Sequence, residues 1–181
     1  FIENAPPSEV HESSPFRVGV NVRNNGAVMR AEGDLLIGYE KEYLELNSPE
    51  KVFYSVAGRD FHNALGEEQR YFFDFTAKKV DSLSTHHLST IYATTCFAFR
   101  TEASPEICVD TDIYDENQGR SVCDSKDISM NSQGAPVAIK KIEQDMVPVD
   151  DNTIMPVFIM HIRNIGDGKV VSINSVGKAC S

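Results

Sequence analysis

The chemistry-bearing residues of this chain fall into three groups. Cys96, Cys108, Cys123 and Cys180 lie 12, 15 and 57 residues apart without a Cys-x-x-Cys pair. That spacing suits two disulfides better than a zinc knuckle, although three pairings are open to four cysteines. If strands over 89–100 and 106–110 form a hairpin, one register sets Phe97 opposite Ile107, Thr95 opposite Val109 and Cys96 opposite Cys108. The expected bonds are therefore Cys96–Cys108 and Cys123–Cys180. The competing state is four reduced thiols in a cytosolic protein.

Asp110, Asp112, Asp115 and Glu116 concentrate four carboxylates in seven residues, hard oxygens that could serve calcium. The run lacks the EF-hand glycine and a terminal bidentate Glu at the proper spacing, so a solvated acidic loop competes with a site on Asp110, Asp112 and Asp115. No other cofactor is expected. Of the histidines, His11, His62, His86, His87 and His161, none has the helical spacing or the Glu partner of a zinc hydrolase. Nucleophile-elbow, P-loop and dinucleotide fingerprints are missing from the sequence, and an enzyme is not expected.

Composition narrows the partners. Seventeen Lys and Arg against 27 Asp and Glu give a net charge of -10 over 181 residues, which argues against gripping phosphate backbones. No apolar run approaches the roughly 20 residues of a membrane helix, since the longest, 153–162, is interrupted by Pro156 and His161. The first residue is Phe1 rather than Met, as in a processed chain or a fragment.

The elements that must carry these residues are strands. Phe16, Val18, Val20 and Val22 alternate with Arg17, Gly19 and Asn21, the period of a half-buried strand. Arg23-Asn24-Asn25-Gly26 then reads as a tight hairpin turn. Further strands are predicted over 27–39, 52–57, 70–75, 89–100 and 106–110, with a short one near Glu9. Residues 40–46 and 63–69 are predicted as brief helical turns. About seven strands in 1–110 predict an all-β, immunoglobulin-like β-sandwich. Residues 111–134 read as a linker with the acidic loop, and strands resume over 137–146, 155–163 and 169–176.

In the run Tyr71-Phe72-Phe73-Asp74-Phe75, alternation sends Tyr71, Phe73 and Phe75 into the core and leaves Phe72 outward, free for a subunit contact. The chain also repeats itself. His161-Ile162-Arg163-Asn164-Ile165-Gly166 matches Asn21-Val22-Arg23-Asn24-Asn25-Gly26 at an offset of 140, and Phe16, Val18, Val20 and Val22 superpose on Pro156, Phe158, Met160 and Ile162. Only 47 residues follow Gly134. Residues 135–181 are therefore expected to form an incomplete second copy that cannot close a sandwich alone.

A strand ending in Arg-Asn-x-Gly, as at Arg23–Gly26 and Arg163–Gly166, resembles the immunoglobulin-like modules of bacterial and archaeal surface proteins grouped as cell-adhesion-related. Ala5-Pro6-Pro7-Ser8-Glu9-Val10, Cys108-Val109-Asp110-Thr111-Asp112, Val122-Cys123-Asp124-Ser125-Lys126-Asp127-Ile128-Ser129 and Gln133-Gly134-Ala135-Pro136-Val137-Ala138 are similar to segments of uncharacterised archaeal cell-surface proteins. The resemblance implies an extracellular or surface-exposed protein and names no catalytic residue. A non-enzymatic subunit of a filament or shell is expected, self-assembling or joined to another surface protein through Phe72, Val137, Ile139, Phe158, Met160 and Ile162. Strand addition from a neighbour is one way to cover the open sheet. The alternative is a calcium- or ligand-binding adhesion module cut from a longer surface protein.

Overall fold

The computed structural model describes residues 1–26, 28–109, 123, 125–150 and 153–172. Among them the protein is all-β: β1 (Pro15–Arg23), β2 (Arg30–Tyr39), β3 (Leu44–Leu46), β4 (Lys51–Ala57), β5 (Glu68–Ala77), β6 (Ile91–Phe97), β7 (Ile128–Ser129), β8 (Val137–Asp150) and β9 (Thr153–Asn164). Phe1–Phe99 forms the body of one compact unit, and Arg100–Val170 forms a second.

In the first unit, antiparallel sheets of order β1-β5-β3 and β4-β2-β6 enclose a single core. Alternation along β1 buries Val18 and Val20, and the facing strand β5 supplies Phe73 opposite Val18 and Phe75 opposite Phe16. The facing sheet contributes Leu35, Ile37, Tyr54 and Val56. Phe75 stacks on Phe16 at 5.4 Å between ring centroids and meets Tyr39 edge-on at 5.2 Å. Burial pushes the Tyr54 hydroxyl up to about 12, because the phenolate would sit in an apolar interior.

Several expectations from the sequence are corrected here. β1 and β2 are not a hairpin: β1 pairs with β5, whereas β2 pairs with β4 and β6. The Asn-Gly step carries no positive φ. The chain turns through the Asn24 side chain instead. Asn24, only 9% exposed, accepts from the Gly26 N–H at 3.0 Å and donates to the carbonyls of Val56 at 3.2 Å and Val28 at 3.3 Å. The turn therefore takes the chain between sheets rather than along one. Gly66 permits the close approach: its φ is +74°, and a Cβ there would lie 1.9 Å from the Asn24 carbonyl oxygen.

Residues 40–46, helical by composition, end in β3 because Leu44 is buried in the core while its backbone pairs with Ala77. Neither 63–69 nor the segment near Glu9 forms the predicted element, and 106–109 and 169–172 are not strands. Without a strand at 106–109 there is no hairpin to oppose Cys96 and Cys108. Cys108 is bonded to Cys123, with Cα atoms 6.0 Å apart. Cys96 is also disulfide-bonded, and Cys180 lies outside the described residues.

The second unit is one sheet of order β7-β8-β9. Gln133-Gly134-Ala135-Pro136 anchors it. The Gln133 amide pairs with both backbone groups of Ile139, accepting from its N–H at 3.0 Å and donating to its carbonyl at 3.1 Å. Ala135 is buried, and the Pro136 carbonyl accepts from Ile165 N at 2.8 Å and Gly166 N at 3.2 Å.

Two outcomes are expected. Asn24→Ala orphans a buried carbonyl and should cost about 2 kcal/mol in urea unfolding, whereas Asn164→Ala, at an exposed site, should cost under about 0.5 kcal/mol; equal effects would show that Asn24 does not hold the corner. A peptide map of the unreduced protein should recover Cys108 joined to Cys123, and recovery of Cys108 joined to Cys96 would contradict the bond described.

Candidate interaction surface

Cross-strand partners share a face, so the register of the second sheet sorts its side chains. The pairs Ile139–Ile162, Ile142–Met160, Gln144–Phe158, Met146–Pro156 and Pro148–Ile154 stand on one side. Ile128 of β7 extends the Ile142–Met160 row across the third strand. A bulge between Ile139 and Lys141 changes the phase of β8, so that Val137 and Ile139 before it share a face with Ile142 and Met146 after it. The sequence carried a signal for this in the three-residue step from Ile139 to Ile142, and strict alternation left Ile142 and Met146 out of the expected face.

On the other side stand Lys141, Glu143, Asp145, His161 and Arg163. Lys141 Nζ lies 2.7 Å from Asp127 and 2.8 Å from Glu143, and His161 Nε2 lies 3.1 Å from Glu143. Hydrogen bonds from Lys141 hold the Asp127 and Glu143 carboxyls below their usual range, His161 adding to the effect at Glu143, and these carboxylates raise the ammonium of Lys141. Among the paired residues, one face thus carries no charge, whereas the other mixes these charged groups with Ala138, Val147, Met155, Val157 and Ile159.

The apolar face is exposed along β9, where its sequence counterpart is covered, whereas Ile142 beside it on β8 is only 5% exposed. Val18 and Val20 of β1 are 0% and 6% exposed, whereas Phe158 and Met160, their matches on β9, are 38% and 59% exposed, and Ile162 is 64% exposed. Both copies of the motif use the same local device: Asn164 Oδ1 accepts from the Gly166 N–H at 3.1 Å, as Asn24 does from Gly26. Each amide also donates four residues on, Asn24 to Val28 at 3.3 Å and Asn164 to Gly168 at 2.8 Å, but Asn24 in addition reaches the Val56 carbonyl of the neighbouring sheet.

The remaining sequence-derived sites are scattered. Phe72 is half exposed on the outer face of the first unit, with the Arg17 guanidinium 5.6 Å from its ring centroid. Val137 and Ile139 are half-buried on the apolar face of the second. Asp110, Asp112 and Asp115 lie outside the described residues, and among those described no cluster of His, Cys, Asp and Glu could hold a metal. No described helix is long and apolar enough to cross a membrane.

A cleft of about 730 Å³ in the first unit is lined by Phe16, Tyr43, His11, His86 and His87 among others. Two of its polar side chains, Tyr43 and His87, are partnered. His87 stacks on Tyr43 at 3.5 Å between centroids and lies 2.8 Å from Glu40, while the Tyr43 hydroxyl donates to Asp81 at 3.2 Å. The contact with His87 is the main cause holding the Glu40 carboxyl below the usual range, aided by the Thr90 backbone. No protein-family model matches the chain, and neither a curated protein nor a solved structure is significantly similar to it.

Because the Glu40 pKa is lowered on folding, its contribution is full above the ordinary Glu range and is lost as pH falls through the lowered value. Glu40→Gln should therefore lose less Tm than wild type between about pH 5 and about pH 3. Parallel Tm curves for the two proteins would show that the Glu40–His87 contact contributes nothing to stability.

Proposed function

We propose that this chain is a non-enzymatic structural subunit of an extracellular or surface assembly, a filament or shell of immunoglobulin-like β-sandwich modules joined through subunit contacts. One observation carries the reading: Phe158, Met160 and Ile162 stand exposed on the apolar face of β9, whereas Val18 and Val20 on its counterpart β1 are buried. A sheet with one uncovered apolar face is marginal in water. Twelve residues of β9 beside β8, with only the two residues of β7 as a third strand, amount to about 400 Å² of sheet. At roughly 25 cal/mol per Å², covering that face is worth on the order of 10 kcal/mol before association costs, enough to offset much of the loss of translational and rotational freedom.

A structural role also suits the charge distribution, because Lys141, Glu143, Asp145, His161 and Arg163 face away from the apolar side. Neighbouring subunits are other copies of the chain or another surface protein. Sedimentation velocity on the full chain from about 1 to about 100 μM, a range spanning ordinary protein association, should show species heavier than the 20.1 kDa monomer. A single monomeric boundary throughout would overturn self-assembly.

A further inference from the structure

We infer that residues 2–5 are a releasable strap that closes the free edge of β1, and that displacing the strap opens this edge to an extended strand. The inference concerns the first unit alone and is independent of the subunit reading drawn from β9.

β1 lies at the end of its sheet, whose order is β1-β5-β3. Gly19 turns both backbone groups away from β5: its carbonyl accepts from the Ile2 N–H at 2.8 Å, and its N–H donates to the Ala5 carbonyl at 3.0 Å. In an antiparallel ladder, residues turned outward alternate with residues bonded to the partner strand, so Arg17, Asn21 and Arg23 present their backbone on the same side as Gly19. Among the described residues, none of these three finds a backbone partner there. Such an edge is a template for another strand.

The side chains explain why the strap sits at Gly19. Arg17 and Arg23 stand on the outer face, paired with Asp74 at 2.7 Å and with Glu68, and charge is one way in which proteins blunt an edge. Between them Gly19 offers no side chain, yet it is buried. Ile2 covers it: a Cβ on Gly19 would lie 2.8 Å from Ile2 Cδ1 and 3.1 Å from Ile2 Cβ. The strap is itself turned by a bond from the Ala5 N–H to the Ile2 carbonyl at 3.1 Å, and among the described residues its backbone bonds to the sandwich run through Gly19 alone. Release therefore breaks no pairing between β1 and β5 and leaves Val18, Val20, Phe73 and Phe75 in the core.

Hydrogen exchange on the full chain tests the release. The Ile2 and Gly19 amides should exchange at least about 100-fold faster than those of Val18 and Val20, which face β5. Exchange of all four at one rate would overturn a strap that opens by itself. Gly19→Val and a chain lacking residues 1–5 then test the closing role. Valine suits a strand, so β1 keeps its pairing while the Ile2 contact is lost. In a solution of this protein alone the strand available is that of a second copy. Both variants should therefore associate at a concentration at least about tenfold below that of wild type in sedimentation velocity, with an unchanged circular dichroism spectrum and new protection at the Arg17 and Asn21 amides. Should Gly19→Val fail to fold, the shortened chain, in which β1 is untouched, decides the question. Association no stronger than that of wild type, or association without protection at Arg17 and Asn21, would overturn the closing role. Wild-type association, which tests the subunit reading, is measured separately and stands or falls by itself.

Discussion

An antiparallel sheet with one apolar face must have that face covered, and the two units of this chain meet the requirement differently. In Phe1–Phe99 the cover is internal: the sheet bearing Val18, Val20, Phe73 and Phe75 closes on the sheet bearing Leu35, Ile37, Tyr54 and Val56. Arg100–Val170 offers a single described sheet, and on its apolar face Met160 and Ile162 of β9 are 59% and 64% exposed while Ile142 of β8 is buried. The cost of such exposure scales with area, whereas the backbone groups along an edge strand are satisfied by water. The energetic cost therefore lies in the face more than in the edge.

The same Asn-x-Gly device sits at the end of β1 and of β9, and it behaves according to its surroundings. Asn24 is buried, and its amide ties the turn to the carbonyl of Val56 in the opposite sheet. Gly66, with no Cβ, lets the neighbouring backbone close over the Asn24 carbonyl. Asn164 keeps the local turn through Gly166 but finds no second sheet among the described residues to hold. A motif repeated in sequence thus keeps its local geometry while its tertiary role depends on whether an opposite layer is present.

This separation of local from tertiary information also sorts what could be read in advance. The alternation that defines β1, the inward placement of Phe73 and Phe75 and the outward placement of Phe72 depend only on period-two geometry, and they were legible. Partner choice was not. Val18 and Val20 alternate in the same way whether their neighbour is β2 or β5, so the Asn-Gly step was misread as a hairpin. The disulfide expectation failed for the same reason: it needed a strand at 106–110 and a register with 89–100, whereas Cys108 is bonded to Cys123. Helix-forming residues at 40–46 were outweighed by burial of Leu44 and its pairing with Ala77. On the candidate surface, Phe158, Met160 and Ile162 were legible from the repeat, whereas Ile142 and Met146 required the bulge.

That bulge decides whether the second sheet has a coherent apolar face at all. With strict alternation through residues 137–146, Val137 and Ile139 would share a side with Lys141, Glu143 and Asp145, and Ile142 and Met146 would lie on the other. β8 would then mix charge and hydrocarbon on both faces and match neither row of β9. The extra residue at the Ile139/Lys141 shift returns Ile142 and Met146 to the side of Met160 and Pro156, and places Lys141 opposite His161. The Gln133 amide occupies both backbone groups of Ile139 at this point, so the backbone beside the bulge is satisfied by a side chain. Keeping the paired charges of β8 and β9 to one face therefore depends on one inserted residue, and the side chain that stabilises it belongs to the Gln-Gly-Ala-Pro segment at the start of the sheet.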